Sequence, residues 1–156
     1  MQSLEAINAR LRALGRQKPT MERRTEVEAL LGHKWEGVQT VAAHVLGEWG
    51  GAESVAALRR WLSLLFERPH AWAARGVATK ALAKCVTDSD TSWALDLYFR
   101  LEDPLLQYEL LPLLTGLPRQ QLETRLRAEV QRGDRAYRDA AGRALTRVAA
   151  TPHDSR

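Results

Sequence analysis

A helical pattern recurs four times along the chain, and this recurrence restricts the fold more than any other feature of the sequence. The copies read GVQTVAAHVLGEW from Gly37, AARGVATKALAKC from Ala73, LLQYELLPLLTGL from Leu105 and AYRDAAGRALTRV from Ala136. One column of this alignment holds Leu46, Leu82, Leu114 and Leu145, which are separated by 36, 32 and 31 residues. Such a period is typical of stacked helix pairs, because a single pair cannot bury its apolar face alone.

The other columns divide into apolar and polar ones, as expected of helices with one buried face. Three more columns are apolar and rich in small residues, which let helices approach closely. They hold Val38, Ala74, Leu106 and Tyr137; Ala42, Ala78, Leu110 and Ala141; and Val45, Ala81, Leu113 and Ala144. A polar column, predicted to face solvent, holds Gln39, Arg75, Gln107 and Arg138.

Glycine and proline divide the chain into about nine helices. Apolar residues follow helical spacing in nearly every segment, and no alternating strand pattern is present. Ser3 is a candidate N-cap, Gly50–Gly51 separates two helices, and Asp103–Pro104 places proline in the first turn of another. These signals predict an all-α protein with a single domain over residues 1–150 and a flexible tail over residues 151–156.

The pattern VQTVAAHVLGEWG of residues 38–50, echoed by YRDAAGRALTRV at residues 137–148, resembles the second helix of HEAT repeats. It looks in particular like the short repeats related to phycobilisome lyases. The resemblance covers roughly residues 20–150, as four helix pairs behind an extra N-terminal helix. It implies a right-handed α-solenoid whose second helices line a concave face that binds partners.

The third copy departs from this pattern at two positions. Glu109 falls in an otherwise apolar column, and Pro112 falls within the helix, where proline removes a backbone hydrogen bond at a cost of about 3 kcal/mol. Either this helix is bent or the alignment slips by one residue. A bend can carry Glu109 to a side face, and the alternative is a functional buried carboxylate.

Cysteine use and charge indicate the compartment. A lone Cys85 cannot form an internal disulfide, and charges interrupt the N-terminus before a secretory signal could form. The least charged stretch, residues 104–118, is too short for a membrane span. We therefore expect a cytoplasmic protein with no membrane partner. Net charges of +5, −5 and +4 over residues 1–85, 86–116 and 117–156 favour separate patches over a uniform nucleic-acid surface.

No motif in the sequence supports catalysis. The four histidines, His33, His44, His70 and His153, have no metal-ligand spacing, and no nucleophile elbow or phosphate-binding glycine loop is present. We therefore predict a protein that is not an enzyme and that needs no metal or cofactor. For His44, a pH-sensitive contact with a ligand and a solvated helix residue both remain open.

Five tryptophans are many for a chain of 156 residues. Trp49 and Trp61 fall with apolar columns or stripes and are predicted to lie in the core. Trp35 and Trp72 fall at or just before the starts of second helices, which makes them candidate contacts at the rim of a binding face.

Basic residues share columns between copies, and this basic ladder is the sharpest candidate site. We predict that it binds a partner. Its members are His44, Arg75, Lys80, Lys84, Arg138, Arg143 and Arg147. Arginine outnumbers lysine 19 to 4 in the chain, and its planar fork suits carboxylates and phosphates. The alternative is a solvated face paired locally with Asp139 and other acids.

These features favour a non-enzymatic interaction module that binds a protein partner on its concave face. The alternative is a nucleic-acid binder that uses the basic ladder and resembles HEAT-like DNA alkylation-repair glycosylases. Those enzymes use a catalytic set of Trp, Asp and Arg, and in this sequence only Trp93 with Asp96 distantly resembles part of that set. A lyase or chaperone subunit for a tetrapyrrole is implied by the repeat resemblance alone.

Overall fold

The computed structural model describes residues 2–152, and in this part of the chain it forms nine α-helices, one 3₁₀ turn and no strand. The helices are α1 (Leu4–Gly15), α2 (Met21–Leu30), α3 (Glu36–Trp49), α4 (Gly51–Phe66), α5 (Trp72–Ala83), α6 (Thr91–Arg100), α7 (Pro104–Thr115), α8 (Arg119–Arg132) and α9 (Arg135–Ala150). The all-α prediction is confirmed. Most of the predicted tail, with His153, lies outside the described residues. No helix found between residues 2 and 152 has the length and apolar character needed to span a membrane.

Side chains and glycines set the helix ends where the sequence predicts them. The Ser3 hydroxyl accepts the N–H of Ala6, and Asp103 caps α7, which begins at Pro104. Gly50 and Gly51 have positive φ angles of 65° and 83°, a backbone conformation that residues other than glycine rarely adopt. These two glycines let α3 pass directly into α4 without a loop.

The chain forms two compact units, Met1–Cys85 and Val86–Arg156. In the N-terminal unit, α3 packs against α1, α2, α4 and α5, and α4 also packs against α5. Leu11, Leu46, Leu58 and Leu82 are fully buried here. The central position of α3 explains why its sequence is the most apolar of the second helices in this unit.

Helices α3 and α5 approach each other closely at Gly47. A Cβ atom at this position would lie 3.1 Å from the carbonyl oxygen of Ala81 and 3.2 Å from its Cα. Because the obstructing atoms belong to the backbone, they cannot move aside as a flexible side chain can. The glycine therefore sets the distance between the two helices.

In the C-terminal unit, α7 packs against α6 and α9, and α8 packs against α9. Tyr98 of α6 is buried, and its hydroxyl donates a 2.7 Å hydrogen bond to the carbonyl oxygen of Ala140 in α9. Leu110, Leu114 and Leu122 fill the space between the helices. Helix α7 continues past Pro112 to Thr115, and Glu109 within it is half-buried.

Two of the apolar columns are buried throughout and the leucine column at three of its four positions, whereas Ala74, Leu106 and Tyr137 are only half-buried. The prediction for the polar column is wrong at three of its four positions. Ala42, Ala78, Leu110 and Ala141 are all fully buried. Gln39, Arg75 and Gln107, expected to face solvent, are only 8%, 7% and 5% exposed. Each donates side-chain N–H groups to carbonyl oxygens at or just after the end of the preceding helix. In the fourth copy, Arg138 is exposed as predicted.

Candidate functional site

The basic ladder separates into members with different roles, beginning with Arg75. Its guanidinium donates to the carbonyl oxygens of Leu65, at 3.2 Å, and Arg68, at 3.4 Å, and lies over the ring of Phe66. Leu65 lies in the last turn of α4 and Arg68 just beyond it, where carbonyl oxygens lack the donors of the helix interior. The Leu65 oxygen also accepts the Arg68 N–H, at 3.2 Å. Arg75 therefore caps a helix from the interior, and its prediction as a partner-binding residue on an exposed ladder is wrong.

In the N-terminal unit the other ladder residues lie on the exposed surfaces of α3 and at the end of α5. Lys84 donates a hydrogen bond to Glu48, and the two form an ion pair. This hydrogen bond, with the charge of Lys84 and a smaller effect of His44, holds the pKa of the Glu48 carboxyl below its ordinary value. Lys80 is exposed as well. The local pairing of Lys84 weakens this part of the ladder as a binding surface for anions.

The three ladder arginines of the C-terminal unit border one open groove between α7 and α9. The groove has a volume of about 900 Å³. On the α9 side it is lined by Arg138, Asp139, Gly142, Arg143, Thr146 and Arg147. On the α7 side it is lined by Leu105, Tyr108 and Leu111. Basic groups therefore follow one wall, while the opposite wall is mainly apolar.

Two large apolar side chains on the α7 wall are unusually exposed. Leu105 is 75% exposed and Tyr108 is 65% exposed, whereas Leu111 below them is buried. Exposed apolar residues that cluster in a groove mark surfaces that are covered by a ligand or partner. Gly142 lies opposite, and a Cβ atom there would meet nothing within 4 Å, so the groove is open above this glycine.

A buried polar network holds Arg143 at the groove. Its Nη2 donates a 3.0 Å hydrogen bond to the Gln107 side-chain oxygen. The Gln107 amide nitrogen in turn donates to the carbonyl of Leu101, at 2.6 Å. Burial raises the pKa of the nearby Tyr98 hydroxyl, and the charge of Arg143 opposes this rise. The guanidinium is therefore held by Gln107 of α7, across the groove from its own helix.

None of the three groove arginines has an acidic partner within residues 2–152. The ion pairs in this unit join Arg119 and Arg127 to Glu123 instead. Asp139 lines the groove but forms no ion pair with Arg138, Arg143 or Arg147. The interpretation of a solvated face neutralised by local acids therefore does not describe this wall.

The two rim tryptophans lie in different surroundings. Trp72, the first residue of α5, is 69% exposed. Trp35, at the start of α3, is half-buried, with the His33 ring at 5.1 Å and the Lys34 ammonium 5.0 Å from its ring centre. Trp61 is buried as predicted, while Trp49 is only half-buried and donates its indole N–H to the Gln17 carbonyl.

Sequence reasoning found the basic wall of the groove and missed the apolar one. Neither Leu105 nor Tyr108 was among the predicted site residues, although Tyr108 falls in the column of Thr40, Gly76 and Asp139, whose members are polar or small. A tyrosine in such a column is the signal that could have indicated the groove.

The groove combines charged, polar and apolar groups. Its lining has three guanidinium groups, the carboxylate of Asp139, the hydroxyl-bearing side chains of Thr146, Tyr98 and Tyr108, and apolar side chains. Among residues 2–152 there is no cluster of three or more His, Cys, Asp or Glu side chains placed to hold a metal ion. Comparisons with models of protein families, with curated proteins and with solved structures found no match to this chain.

Proposed function

We propose that this protein is a non-enzymatic helical-repeat module, a scaffold or adaptor of the cytoplasm that binds a protein partner. The observation that carries the proposal is the α7–α9 groove. There, three arginines without an acidic partner in the described chain face an apolar wall with two exposed large side chains. The buried Cys85 suits the reducing cytoplasm.

The finer fold assignment is part of the proposal. Within the N-terminal unit α3 packs on α5, and within the C-terminal unit α7 packs on α9. Packing between the second helices of successive pairs supports a right-handed, HEAT-like α-solenoid for the chain. The carbonyl-capping residues Gln39, Arg75 and Gln107, at equivalent positions of three copies, support a true structural repeat.

The composition of the groove favours a protein over a nucleic acid as partner. The groove can contact apolar side chains of a partner through Leu105, Leu111 and Gly142. The phosphate backbone of a nucleic acid has no apolar side chains to place there. Asp139 lies on the same wall as the arginines and would repel a row of phosphates. The basic groove remains the feature on which the nucleic-acid alternative rests.

The experiment compares two glycine variants of the tagged protein in capture from cell extract. Gly142→Leu fills the groove, and Gly76→Leu adds the same side chain on α5, where a Cβ atom also meets nothing within 4 Å. We expect specific proteins to be captured by the wild type and by Gly76→Leu, and to be lost with Gly142→Leu. Capture of the same proteins by all three forms would refute the groove as the binding site. Capture that disappears after nuclease treatment would support the nucleic-acid alternative instead.

A further inference from the structure

We propose that the occupant of the α7–α9 groove is an acidic amphipathic helix of the partner protein, which lies along α9 with its carboxylates on Arg143 and Arg147 and its apolar face on Leu105 and Tyr108. This inference rests on the proposed function, because it names the chemistry of the partner at the same groove. Its support comes from the groove's length, the spacing of its charges and the fixed position of one arginine.

The groove has the length of a short helix. From Arg138 to Ala150 its lining follows α9 for about 18 Å, at ~1.5 Å per residue. Three turns of a partner helix cover the same distance. An extended peptide of that length would also pass along the groove, but residues 2–152 offer it no strand edge with which to pair its backbone N–H and C=O groups.

The basic wall matches the period of a helix. Arg143 and Arg147 are about one turn apart on α9, and Arg138 lies about 7.5 Å from Arg143 along the axis, toward the N-terminal end of the helix. Carboxylates four residues apart on a facing helix have the same separation, so two ion pairs can form together. Arginine pairs carboxylates through two parallel hydrogen bonds, which fixes orientation as well as charge.

The apolar wall supplies the second half of the recognition. Leu105 and Tyr108 are three residues apart on one face of α7 and are largely exposed. Amphipathic helices that bind grooves place apolar residues at i, i+3, i+4 and i+7, and such a stripe would cover both side chains. A partner helix with acidic residues beside this stripe complements both walls at once.

The side chain of Arg143 is already ordered in the absence of a partner. Its hydrogen bond to the buried Gln107 holds the guanidinium beside the groove, and Gln107 is itself held by the Leu101 carbonyl. A side chain that is already ordered loses less conformational entropy on binding than a mobile one. This built network distinguishes Arg143 from an arginine on an ordinary solvated helix.

The test uses selection from a displayed library of random peptides about 16 residues long, because shorter helices are marginal in water. Peptides are selected on the wild-type protein, made synthetically and measured for affinity by fluorescence anisotropy. The protein variants are Arg147→Glu and Gly142→Leu, with Gly76→Leu as the matched control. Circular dichroism verifies that each variant remains helical.

We expect the selected peptides to carry acidic residues four apart beside an apolar stripe. Their affinity should fall at least about tenfold with Arg147→Glu and with Gly142→Leu, and should be unchanged with Gly76→Leu. Replacing the two acids by glutamine should weaken binding to a similar degree.

Three outcomes would overturn the inference. If the selected peptides lack acidic residues and still do not bind Gly142→Leu, this result would reject an acidic helix as the occupant, while the groove would still be a protein-binding site. Peptides that bind every variant equally, or no enrichment, would reject both the occupant and the groove. A single-stranded oligothymidine that displaces the peptides and binds more tightly would identify the groove as a nucleic-acid site.

Discussion

Gln39, Arg75 and Gln107 show how a buried polar side chain can hold a repeat together. Each reaches from near the start of a second helix to carbonyl oxygens at or just after the end of the preceding helix. Carbonyls at a helix end lack the donors of the helix interior, and one left unpaired in the protein interior costs free energy. The sequence predicts that this column is polar but not that it is buried, because carbonyl acceptors carry no side-chain signal.

Removal of the Arg75 guanidinium should destabilise the fold, whereas the equivalent change at Arg138 should not. Arg75→Met removes the side-chain donor of the Arg68 carbonyl and one donor of the Leu65 carbonyl, which keeps the Arg68 N–H, and we expect the free energy of unfolding to fall by about 1–3 kcal/mol. Arg138→Met changes an exposed side chain and should stay within about 0.5 kcal/mol of the wild type. Urea unfolding followed by circular dichroism measures both. Equal effects of the two substitutions would mean that the hydrogen bonds of Arg75 make no net contribution to the free energy of unfolding.

Tyr137 should make stability depend on pH in the alkaline range. Burial, with a hydrogen bond to Glu129, raises its pKa to about 12 from 10.0. The unfolded chain therefore loses this proton first, so stability is fully present below pH 10 and falls as pH rises toward about 12. Tyr137→Phe should flatten this decline in urea midpoints measured across the same range. An unchanged slope would show that other groups, such as Tyr98, account for it.

Helix boundaries were the part of the fold most accessible from sequence. Ser3, Gly50–Gly51 and Asp103–Pro104 act as caps and junctions where they were predicted, because their chemistry is local. Helix α7 continues past Pro112, which the alignment of the copies also placed within this helix. The contacts between helices, and the distances between them, depend on residues that are distant in sequence. The columns of small residues therefore predict these contacts only in outline.

Gly47 and Gly76 should respond in opposite ways to the same substitution. In Gly47→Ala the new methyl group meets the Ala81 backbone. The overpacking should lower the free energy of unfolding by ~1–3 kcal/mol, which exceeds the ~1 kcal/mol that alanine adds through its higher helix propensity. In Gly76→Ala the methyl group meets nothing, so only the gain remains. We expect urea unfolding to separate the two variants by about 2 kcal/mol. A stabilised Gly47→Ala would mean that α3 and α5 move apart without cost.

At the scale of the whole molecule, charge is divided unevenly between the two units. Residues 1–85 carry 13 basic and 8 acidic side chains, and residues 86–156 carry 10 and 11. The groove arginines therefore belong to a unit with a slight net negative charge. The basic blocks are visible in the sequence, but the groove is not, because it depends on how α7 and α9 pack.

This distribution predicts weak binding to nucleic acid. Several basic residues of the N-terminal unit are paired with acids, including Arg10 with Glu26 and Lys84 with Glu48. We expect no retardation of double-stranded DNA in gel-shift measurements at about 50 mM salt. Retardation that declines steeply as salt increases would contradict the proposal and favour the nucleic-acid alternative. A triple variant of Arg138, Arg143 and Arg147 to glutamine would then locate the contact.

The junction at Gly50 has a stereochemical consequence. Its angles, φ 65° and ψ −162°, are the mirror image of the extended polyproline conformation that ordinary amino acids favour. The backbone between α3 and α4 therefore has, at this one position, the handedness of a D-amino acid. Glycine, the only achiral residue that ribosomal synthesis supplies, meets this requirement, and a D-alanine introduced by chemical synthesis would match the same backbone angles.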